Sequence, residues 1–357
     1  MGAAARDGDD DDDDAQWRNK LLLSTLTGRQ VTCKMSQPMQ EHHTNFVRLL
    51  EKMQNGCSIK INETGTSLLY RPGLLIGGTN LVHDCGTSRA IGYYLEPLLV
   101  LALFAKTDLS ITCRGITNGP LDMGVDTLRT VSLPLLRLFG VNEGAQLSIK
   151  KRGAPPEGGG EVVLQIPALR HLSPTIATDP GRIKRIRGIA YVAKVAPQVA
   201  NRIVESSRGV LNHFLPDVWI YTDVVKGAGS GSSPGFAVTL VAESTSGSLL
   251  SCEVTGAKGL QPEDVGAAAS AAMLEEIRQG GVVDATHQSL VLLLMSLCPE
   301  DVSRIRLGPL TPFSESTLRL IREHLGLTFQ IKADDEDDSL ILSCRGSNIR
   351  NMSMRTT

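Results

Sequence analysis

The sequence predicts an α/β (α+β) fold in which one structural unit is repeated and a smaller α/β domain is inserted. Two observations predict this fold. A pattern of helix, glycine, strand, turn and strand occurs three times, with its glycine at Gly56, Gly140 and Gly326. Residues 181–280, between the second and third copies, break the pattern. Three occurrences are typical of a repeated unit, and a segment that interrupts them is typical of an insertion.

The three copies have the same order of elements. Each glycine stands where a left-handed residue ends a helix, and β-branched or aliphatic residues follow it. A second correspondence supports the repeat, because apolar helices precede two strands that each start with an aspartate, Asp108 and Asp301. The helix and two strands of each copy are predicted at residues 46–55, 58–62 and 67–70, at 127–139, 145–150 and 161–166, and at 316–325, 328–332 and 339–343.

The interrupting segment has its own alternation of elements. Pro197 and Pro262 suit the first turn of a helix, which supports two of its helix boundaries. The order strand, helix, strand, strand, strand and helix is predicted at residues 187–195, 197–214, 217–224, 237–242, 249–254 and 262–279.

Composition limits the class of protein. The chain has 357 residues, of which 41% are hydrophobic and 21% charged, so it is globular and long enough for two cores. The net charge of −2 predicts that any RNA contact comes from a local patch. Seven scattered cysteines without a C-x-x-C pair indicate a reducing compartment. The longest apolar run, residues 98–105, is far shorter than the roughly twenty residues that span a bilayer, so no membrane partner is expected.

The chain is expected to divide into four parts. Six consecutive aspartates at residues 9–14 repel one another, so residues 1–16 are predicted to be a disordered acidic tail. This start resembles neither a secretory signal nor a transit peptide, which favours the cytosol or nucleus. Residues 17–180 and 281–345 form a discontinuous repeat-built domain, residues 181–280 the inserted domain, and residues 346–357 a C-terminal tail.

A glycine-rich segment at residues 152–160 is the first candidate site. Its consecutive glycines allow backbone amides to converge on an anion, or allow another chain segment to approach closely. A hairpin connection whose glycines only supply positive φ is the favoured explanation, since the segment is neither a P-loop nor a dinucleotide-binding motif. The candidate contacts in it are Arg152, Gly158, Gly159 and Gly160.

The densest basic cluster lies at the start of the inserted domain. Several cations close together favour phosphate contact, because counterion release provides the free energy. A solvated face or an acidic protein partner explains the cluster equally well. Its members are Arg182, Lys184, Arg185 and Arg187.

No catalytic centre follows from the residue types and their spacing. The seven histidines show no H-E-x-x-H spacing and no grouping with cysteine, so neither a metal nor another cofactor is predicted. No serine stands in a G-x-S-x-G elbow. His287 opens an apolar helix, where capping or packing is the favoured role.

Several motifs in this order resemble the RNA 3′-terminal phosphate cyclase family, and most closely its eukaryotic cyclase-like branch. The resemblance covers nearly everything from residue 17 to residue 345. It implies three repeated units, each of two helices on a four-stranded sheet, with a smaller α/β domain inserted before the third. The motifs are LSTLTG at 23–28, YRPG at 70–73 with IGG at 76–78, GYYLEP at 92–97, RGAPPEGGGE at 152–161, SPGF at 233–236 and HQSLVL at 287–292.

The resemblance also implies what the chain has lost. In the cyclases a histidine near the C-terminus attacks ATP, becomes adenylylated and passes AMP to an RNA 3′-phosphate, which then cyclises. The position that corresponds to this histidine is Ser314, in the stretch TPFSEST at 311–317. A serine hydroxyl has no lone pair as basic as that of imidazole at neutral pH. The glycine-rich strand and turn at the start of the cyclases is replaced here by residues 9–16.

The cyclase-like branch implies a binding role with no catalytic residue. Its members act in the nucleolar small-subunit processome, where they bind a ribosome-assembly GTPase and support precursor rRNA cleavage. The implied partners are that GTPase and precursor rRNA or processome components, and the implied location is the nucleus and nucleolus. Two alternatives remain. An active cyclase would use His287 or His324, and an endonuclease would use Asp301, Arg304, Arg306, Arg319, Arg322 and Glu323.

Overall fold

The first part of the structure is a three-stranded antiparallel sheet with two helices. The computed structural model describes residues 8–334 and 338–354, with side chains from residue 16 onward. The strand order is β1-β4-β3, and two further short strands, β2 and β5, pair with each other. The elements are α1 (Gly8–Thr27), β1 (Val31–Lys34), α2 (Glu41–Met53), β2 (Gln54–Asn55), β3 (Ser58–Ile61), β4 (Ser67–Arg71) and β5 (Leu74–Leu75).

The second part is a four-stranded sheet with order β6-β7-β9-β8, in which β6 is parallel to β7 and the other pairs are antiparallel. Gly140 ends the second helical stretch with φ +93, as the sequence predicts. The elements are β6 (Gly78–Asp84), α3 (Ile91–Leu101), β7 (Leu109–Gly115), α4 (Val125–Thr127), a π-helical turn (Leu128–Ser132), α5 (Leu133–Leu135), a 3₁₀ turn (Leu136–Phe139), β8 (Gln146–Lys151) and β9 (Gly160–Ile166).

The third part begins with β10 (Ile176–Ala177) and resumes only after another sheet has formed. That intervening sheet has order β12-β11-β13-β14, and two helices pack on it. We call this segment, β11 to α7, the insertion and the remainder the main body. The insertion comprises β11 (Ile183–Ala193), α6 (Gln198–Leu211), β12 (Val218–Val225), β13 (Gly235–Ser244), β14 (Leu249–Thr255) and α7 (Pro262–Gln279).

The third part then continues with a sheet of order β10-β15-β17-β16, in which β10 is parallel to β15. This order and direction repeat those of the second part. The predicted α/β class is therefore confirmed. The remaining elements are α8 (Gln288–Leu297), β15 (Val302–Leu307), α9 (Pro312–Leu325), β16 (Gln330–Ala333) and β17 (Leu340–Arg345).

The first sheet departs from the expected four strands, since three strands form it within the described residues. The acidic tract at residues 9–14 lies at the start of α1, which begins at Gly8. The helix α1 continues from this tract into the buried Trp17 and Leu21. The prediction of a disordered tail is therefore wrong for residues 8–16, which lie in α1, and residues 1–7 lie outside the described part.

The end of the chain also differs from a tail. Asn351 is buried, and its Nδ2 donates to the carbonyl of Ala105 at 2.7 Å. The backbone amides of Ser347 and Asn348 donate to carbonyls of Ser296 and Cys298. Residues 346–351 are therefore attached to the main body through backbone hydrogen bonds, which a composition-based reading of the segment does not reveal.

Two hydrophobic cores support the structure. The larger core fills the main body around residues such as Phe46, Leu98 and Leu292, and a separate core fills the insertion around Ile203 and Leu240. All seven cysteines are free thiols. None of the helices in residues 8–334 and 338–354 combines the length and apolar character needed to cross a membrane.

Candidate functional site

Ser314, the position assigned to the lost nucleophile, lies in the first turn of α9 and is fully buried. Thr311 is the helix N-cap, and its Oγ1 accepts the backbone amide of Ser314 at 3.1 Å. The Ser314 hydroxyl donates to Oε1 of Gln288 at 2.9 Å and lies 2.8 Å from Oγ1 of Thr311. Its hydrogen bonds are thus satisfied inside the protein, and it has no access to solvent.

The hydrogen-bond network around Ser314 is built from neutral side chains. Gln288 donates from Nε2 to the carbonyl of Pro309 at 3.0 Å. Next to it, the hydroxyls of Ser289 and Thr317 lie 2.8 Å apart, and Asn19 on α1 donates to Thr317 at 3.3 Å. This network of amides and hydroxyls connects α1, α8 and α9. It offers hydrogen bonds but no cation to neutralise a nucleotide phosphate.

His287 is not available as a substitute nucleophile. Its ring is fully buried, with Nδ1 2.6 Å from Asp284 and Nε2 2.7 Å from Ser132. Burial opposes both charges, yet their mutual attraction lowers the pKa of Asp284 and raises that of His287. Asp284 also accepts two hydrogen bonds from Ser251 on β14. The group has the residue types of a hydrolase triad, but its burial leaves no path for a substrate, so it connects the main body to the insertion.

His324 is half-buried near the end of α9, and burial lowers the pKa of its imidazole. Its Nε2 has no hydrogen-bond partner among the described side chains and backbone groups. A nucleophile needs an orienting base and cations close to the attacked phosphate. Two cations lie close, since Lys20 and Arg29 lower the pKa of His324 and Arg29 donates to its backbone carbonyl at 3.1 Å, but no base is bonded to its ring among the described residues.

The glycine-rich segment 152–160 forms the joint between the main body and the insertion. Arg152 donates its backbone amide to Gly229 at 2.9 Å and accepts one from Gly231 at 2.5 Å. Ser232 donates its amide to the carbonyl of Gly158 at 3.2 Å. These backbone groups are therefore bonded to the loop 227–235, which supports close approach of two chain segments rather than an anion cradle.

Close packing and backbone conformation require glycine at three positions of this joint. A Cβ atom on Gly160 would lie 2.6 Å from Cγ2 of Thr117 and 2.8 Å from the amide of Gly153. Gly158 and Gly159 have φ of +61 and +79, which side chains rarely tolerate. The candidate contacts Gly158, Gly159 and Gly160 thus have a structural role at the joint.

Arg152 is buried within the same joint and is not a surface contact. Its guanidinium makes a bidentate ion pair with Asp126 and donates to Asp223 on β12 at 2.8 Å. It also lies over the ring of Tyr191, 4.8 Å from the centroid. Burial alone would lower the pKa of Arg152, but Asp126 and Asp223 raise it above its ordinary value. An internal charge network explains this arginine, because both partners take up its donors.

Glu253 on β14 provides a second polar contact between the insertion and the main body. It accepts hydrogen bonds from Asn118 at 2.7 Å, the amide of Gly124 at 3.1 Å and Thr127 at 2.9 Å. Although these donors favour the carboxylate, burial and the nearby Asp126 raise the pKa of Glu253 to about 7. The joint therefore contains a carboxyl group that titrates near neutral pH.

Replacing Glu253 by glutamine tests this titration. Because the folded pKa of about 7 exceeds the ordinary 4.5, the wild-type contribution to stability is fully present below pH 4.5. It is lost as the pH rises through 7. We expect urea unfolding between pH 5 and 8 to show a decline in stability that is shallower in Glu253→Gln by on the order of 1–2 kcal/mol. Equal slopes in both proteins would contradict the assigned titration.

The basic cluster on β11 is mostly engaged in ion pairs. Lys184 and Arg185 contact Glu243 at 2.7 and 2.5 Å, and Arg187 contacts Asp217 at 2.8 Å. Arg182 is exposed, and its side chain has no ion pair within the part of the chain that the structure describes. These pairs are partly exposed and thus weak, so the four side chains stay candidate contacts whose role is a prediction.

An exposed aromatic pair beside this cluster is not predicted from the sequence. Trp219 and Tyr221 on β12 are 55% and 57% exposed. The alternation along β12 could have predicted this exposure. Val218 and Ile220 face the core, so Trp219 and Tyr221 must face outward. Two large aromatics at positions that point away from a core are uncommon enough to indicate a binding surface.

Two of the arginines proposed for an endonuclease are engaged in local ion pairs. Arg319 pairs with Glu315 on its own helix at 3.2 Å, and Arg306 pairs with Asp334 at 2.5 Å. No group of three histidine, cysteine or acidic side chains in the described ranges could hold a metal ion. Local ion pairing therefore accounts for these two arginines.

The fold and this site define an α/β protein with an inserted α/β segment and a buried network of amides and hydroxyls around Ser314. Its sequence matches the family described as RNA 3′-terminal phosphate cyclase over residues 15–331. The chain belongs to this family, which confirms the resemblance seen in the motifs.

Curated relatives place the chain near proteins named cyclase-like. It is 47% identical to the human "RNA 3′-terminal phosphate cyclase-like protein", over 94% of this chain and 95% of that one. It is 42% identical to a "probable RNA 3′-terminal phosphate cyclase-like protein" of Dictyostelium discoideum, over 95% and 97% of the two chains. It is 44% identical to the "rRNA processing protein rcl1" of Schizosaccharomyces pombe, over 94% and 95%.

Proposed function

We propose that this protein is a non-catalytic member of the cyclase family that acts in precursor rRNA processing. The fission yeast relative, similar along nearly its whole length, is named for rRNA processing. The observation that carries the non-catalytic assignment is the burial of Ser314 with its hydroxyl bonded to Gln288. Such a position can neither carry adenylate nor be reached by ATP.

The proposed role is maturation of 18S rRNA and assembly of the small ribosomal subunit. In this proposal the protein binds a ribosome-assembly GTPase within the small-subunit processome, in the nucleolus. Two cores joined through Arg152, Glu253 and Asp284 support a binding function, because buried charged contacts fix the relative position of two surfaces. Recruitment and positioning of partners need no reactive group.

Genetic complementation tests the role in rRNA processing. We expect the chain to restore 18S rRNA in fission yeast cells depleted of rcl1, measured on RNA blots of precursor and mature species. The variant Ser314→Ala should restore it equally, since it removes about 1–2 kcal/mol of hydrogen bonding but no reactive group. Failure of the chain where the human relative succeeds would refute the proposal.

An adenylylation assay on the purified chain tests whether it retains the reaction of the cyclases. Incubation with radiolabelled ATP and a denaturing gel should give no labelled band, while an active cyclase gives one. A band that disappears in His287→Asn or His324→Asn would instead establish an active cyclase.

Affinity purification from nucleolar extract should recover a GTP-binding protein together with small-subunit assembly factors. Recovery of RNA-repair factors alone would contradict the partner assignment.

A further inference from the structure

The sheet of the insertion has one face that is only half covered. Helices α6 and α7 pack on the other face, where Ile186, Val218 and Leu240 form the core. On the half-covered face, β14 contacts the main body through Ser251 and Glu253. The start of β11 and most of β12, which is an edge strand, remain exposed on that face.

The exposed half presents flat aromatic rings in a row. The Trp219 and Tyr221 centroids are 6.1 Å apart, with the ring planes at 65°. Their neighbours across the sheet are Arg187 and Ile189, because β11 and β12 pair in parallel register. Exposing two rings to water is unfavourable, so a ligand that covers them gains the free energy of their burial.

The charge around the rings is positive. Four basic side chains of the β11 cluster stand against Glu243 and Asp217, which pair with them, and against the nearby Asp179, which leaves one unbalanced positive charge. A further carboxylate, Asp223, is balanced within the network in which Arg152 and Arg129 pair with Asp126 and Asp223. The exposed ion pairs exchange readily for contacts with phosphate, since such pairs contribute little stability.

We infer that this face binds single-stranded RNA, with bases stacked on Trp219 and Tyr221 and the backbone phosphates on Arg185 and Arg187. The inference deepens the proposed function and rests on it for the identity of the nucleic acid. Aromatic rings on a sheet with flanking cations suit unpaired bases, because a duplex hides its base faces. A protein strand added to the β12 edge would use backbone groups and would not need the cations.

Titration of the full chain with a fluorescein-labelled twelve-nucleotide single-stranded RNA tests this site. We expect Trp219→Ala and Tyr221→Ala each to weaken binding about tenfold, the usual effect of losing one stacking ring. Arg187→Ala should lower the slope of log affinity against log salt by about 0.7, the value for one phosphate contact on a single strand. A twelve-base-pair RNA duplex should bind more weakly than the single strand.

Intrinsic fluorescence gives an independent readout. The chain has two tryptophans, of which Trp17 is 2% exposed and Trp219 is 55% exposed. RNA should quench Trp219 by stacking, and Trp219→Phe should lose the quenching while its affinity stays within about threefold, since phenylalanine also stacks. Quenching that persists in Trp219→Phe would overturn the assignment.

Two matched variants control for general effects. Phe214→Ala removes another exposed aromatic of the insertion, 48% exposed, and Arg202→Ala breaks an exposed ion pair with Glu263 on the helical face. Both should bind RNA as the unchanged chain does. Equal binding by the Trp219→Ala, Tyr221→Ala double variant would overturn the inference. If this double variant lost the GTP-binding partner but still bound RNA, the surface would be assigned to a protein partner. The proposed function would still stand if the chain restored 18S rRNA in the complementation experiment.

Discussion

Replacing Arg152 by alanine will lower the free energy of unfolding by about 3–5 kcal/mol, as expected when one member of a buried ion pair is removed. Arg152 is 3% exposed, and its loss leaves Asp126, 1% exposed, with Arg129 as its remaining ion-pair partner among the described residues. The contact from Asp223 on β12 is lost together with it. Urea unfolding followed by circular dichroism measures the change.

Two variants make this result specific. Arg152→Lys retains the charge but not the bidentate geometry, so its loss should be intermediate. Arg202→Ala breaks an exposed pair, 2.6 Å from Glu263, and should leave the urea midpoint unchanged. If Arg152→Ala were as stable as Arg202→Ala, the charge network would have no role at the joint.

Replacing Gly231 by alanine will destabilise the joint by about 3 kcal/mol, because overpacking forces the backbone to move. The added Cβ would lie 2.0 Å from the carbonyl oxygen of Gly158 and 3.0 Å from Cα of Gly153. The loop 227–235 must then separate from the segment 152–160. Hydrogen exchange should increase in both segments, and the melting temperature should fall.

The matched control is Gly209→Ala in α6. A Cβ there meets nothing within 4 Å, and alanine favours the helix over glycine by roughly 0.5–1 kcal/mol. The same substitution should therefore be neutral or stabilising at residue 209 and destabilising at residue 231. Unchanged exchange in segment 152–160 of Gly231→Ala would show that the two segments do not depend on each other.

The local elements of the fold could be predicted because their signals are local. Gly140 and Gly326 end helices in the left-handed conformation as predicted, whereas the prediction is wrong at Gly56, because α2 ends at Met53 and the strand β2 precedes that glycine. The apolar helices and alternating strands lie close to where periodicity predicts them. Within the described residues the first sheet has three strands and not the four that the resemblance implies. Repetition elsewhere in the chain could not reveal that the acidic tract enters a helix, since that depends on the continuation into Trp17 and Leu21.

The candidate site was predicted by residue type but not by environment. Arg152 was predicted as a candidate contact for RNA or a partner, yet the amides of its segment and its guanidinium bond to the loop 227–235 and to Asp126 and Asp223. These partners lie 26 and 71 residues from Arg152 in sequence. The residues next to Arg152 in sequence therefore do not reveal whether its charge is buried or exposed.

The sequence alone determined the α/β class, and it predicted the interruption by residues 181–280 and, through the family resemblance, Ser314 at the position of the nucleophile, because periodicity, glycine placement and residue identity are local properties. The tertiary structure decided which side chains are accessible. It buried Ser314 and His287, used Arg152 and three glycines at the joint, and left Trp219 and Tyr221 exposed. The reason is physical: solvent access and pairing depend on segments distant in sequence that packing brings together.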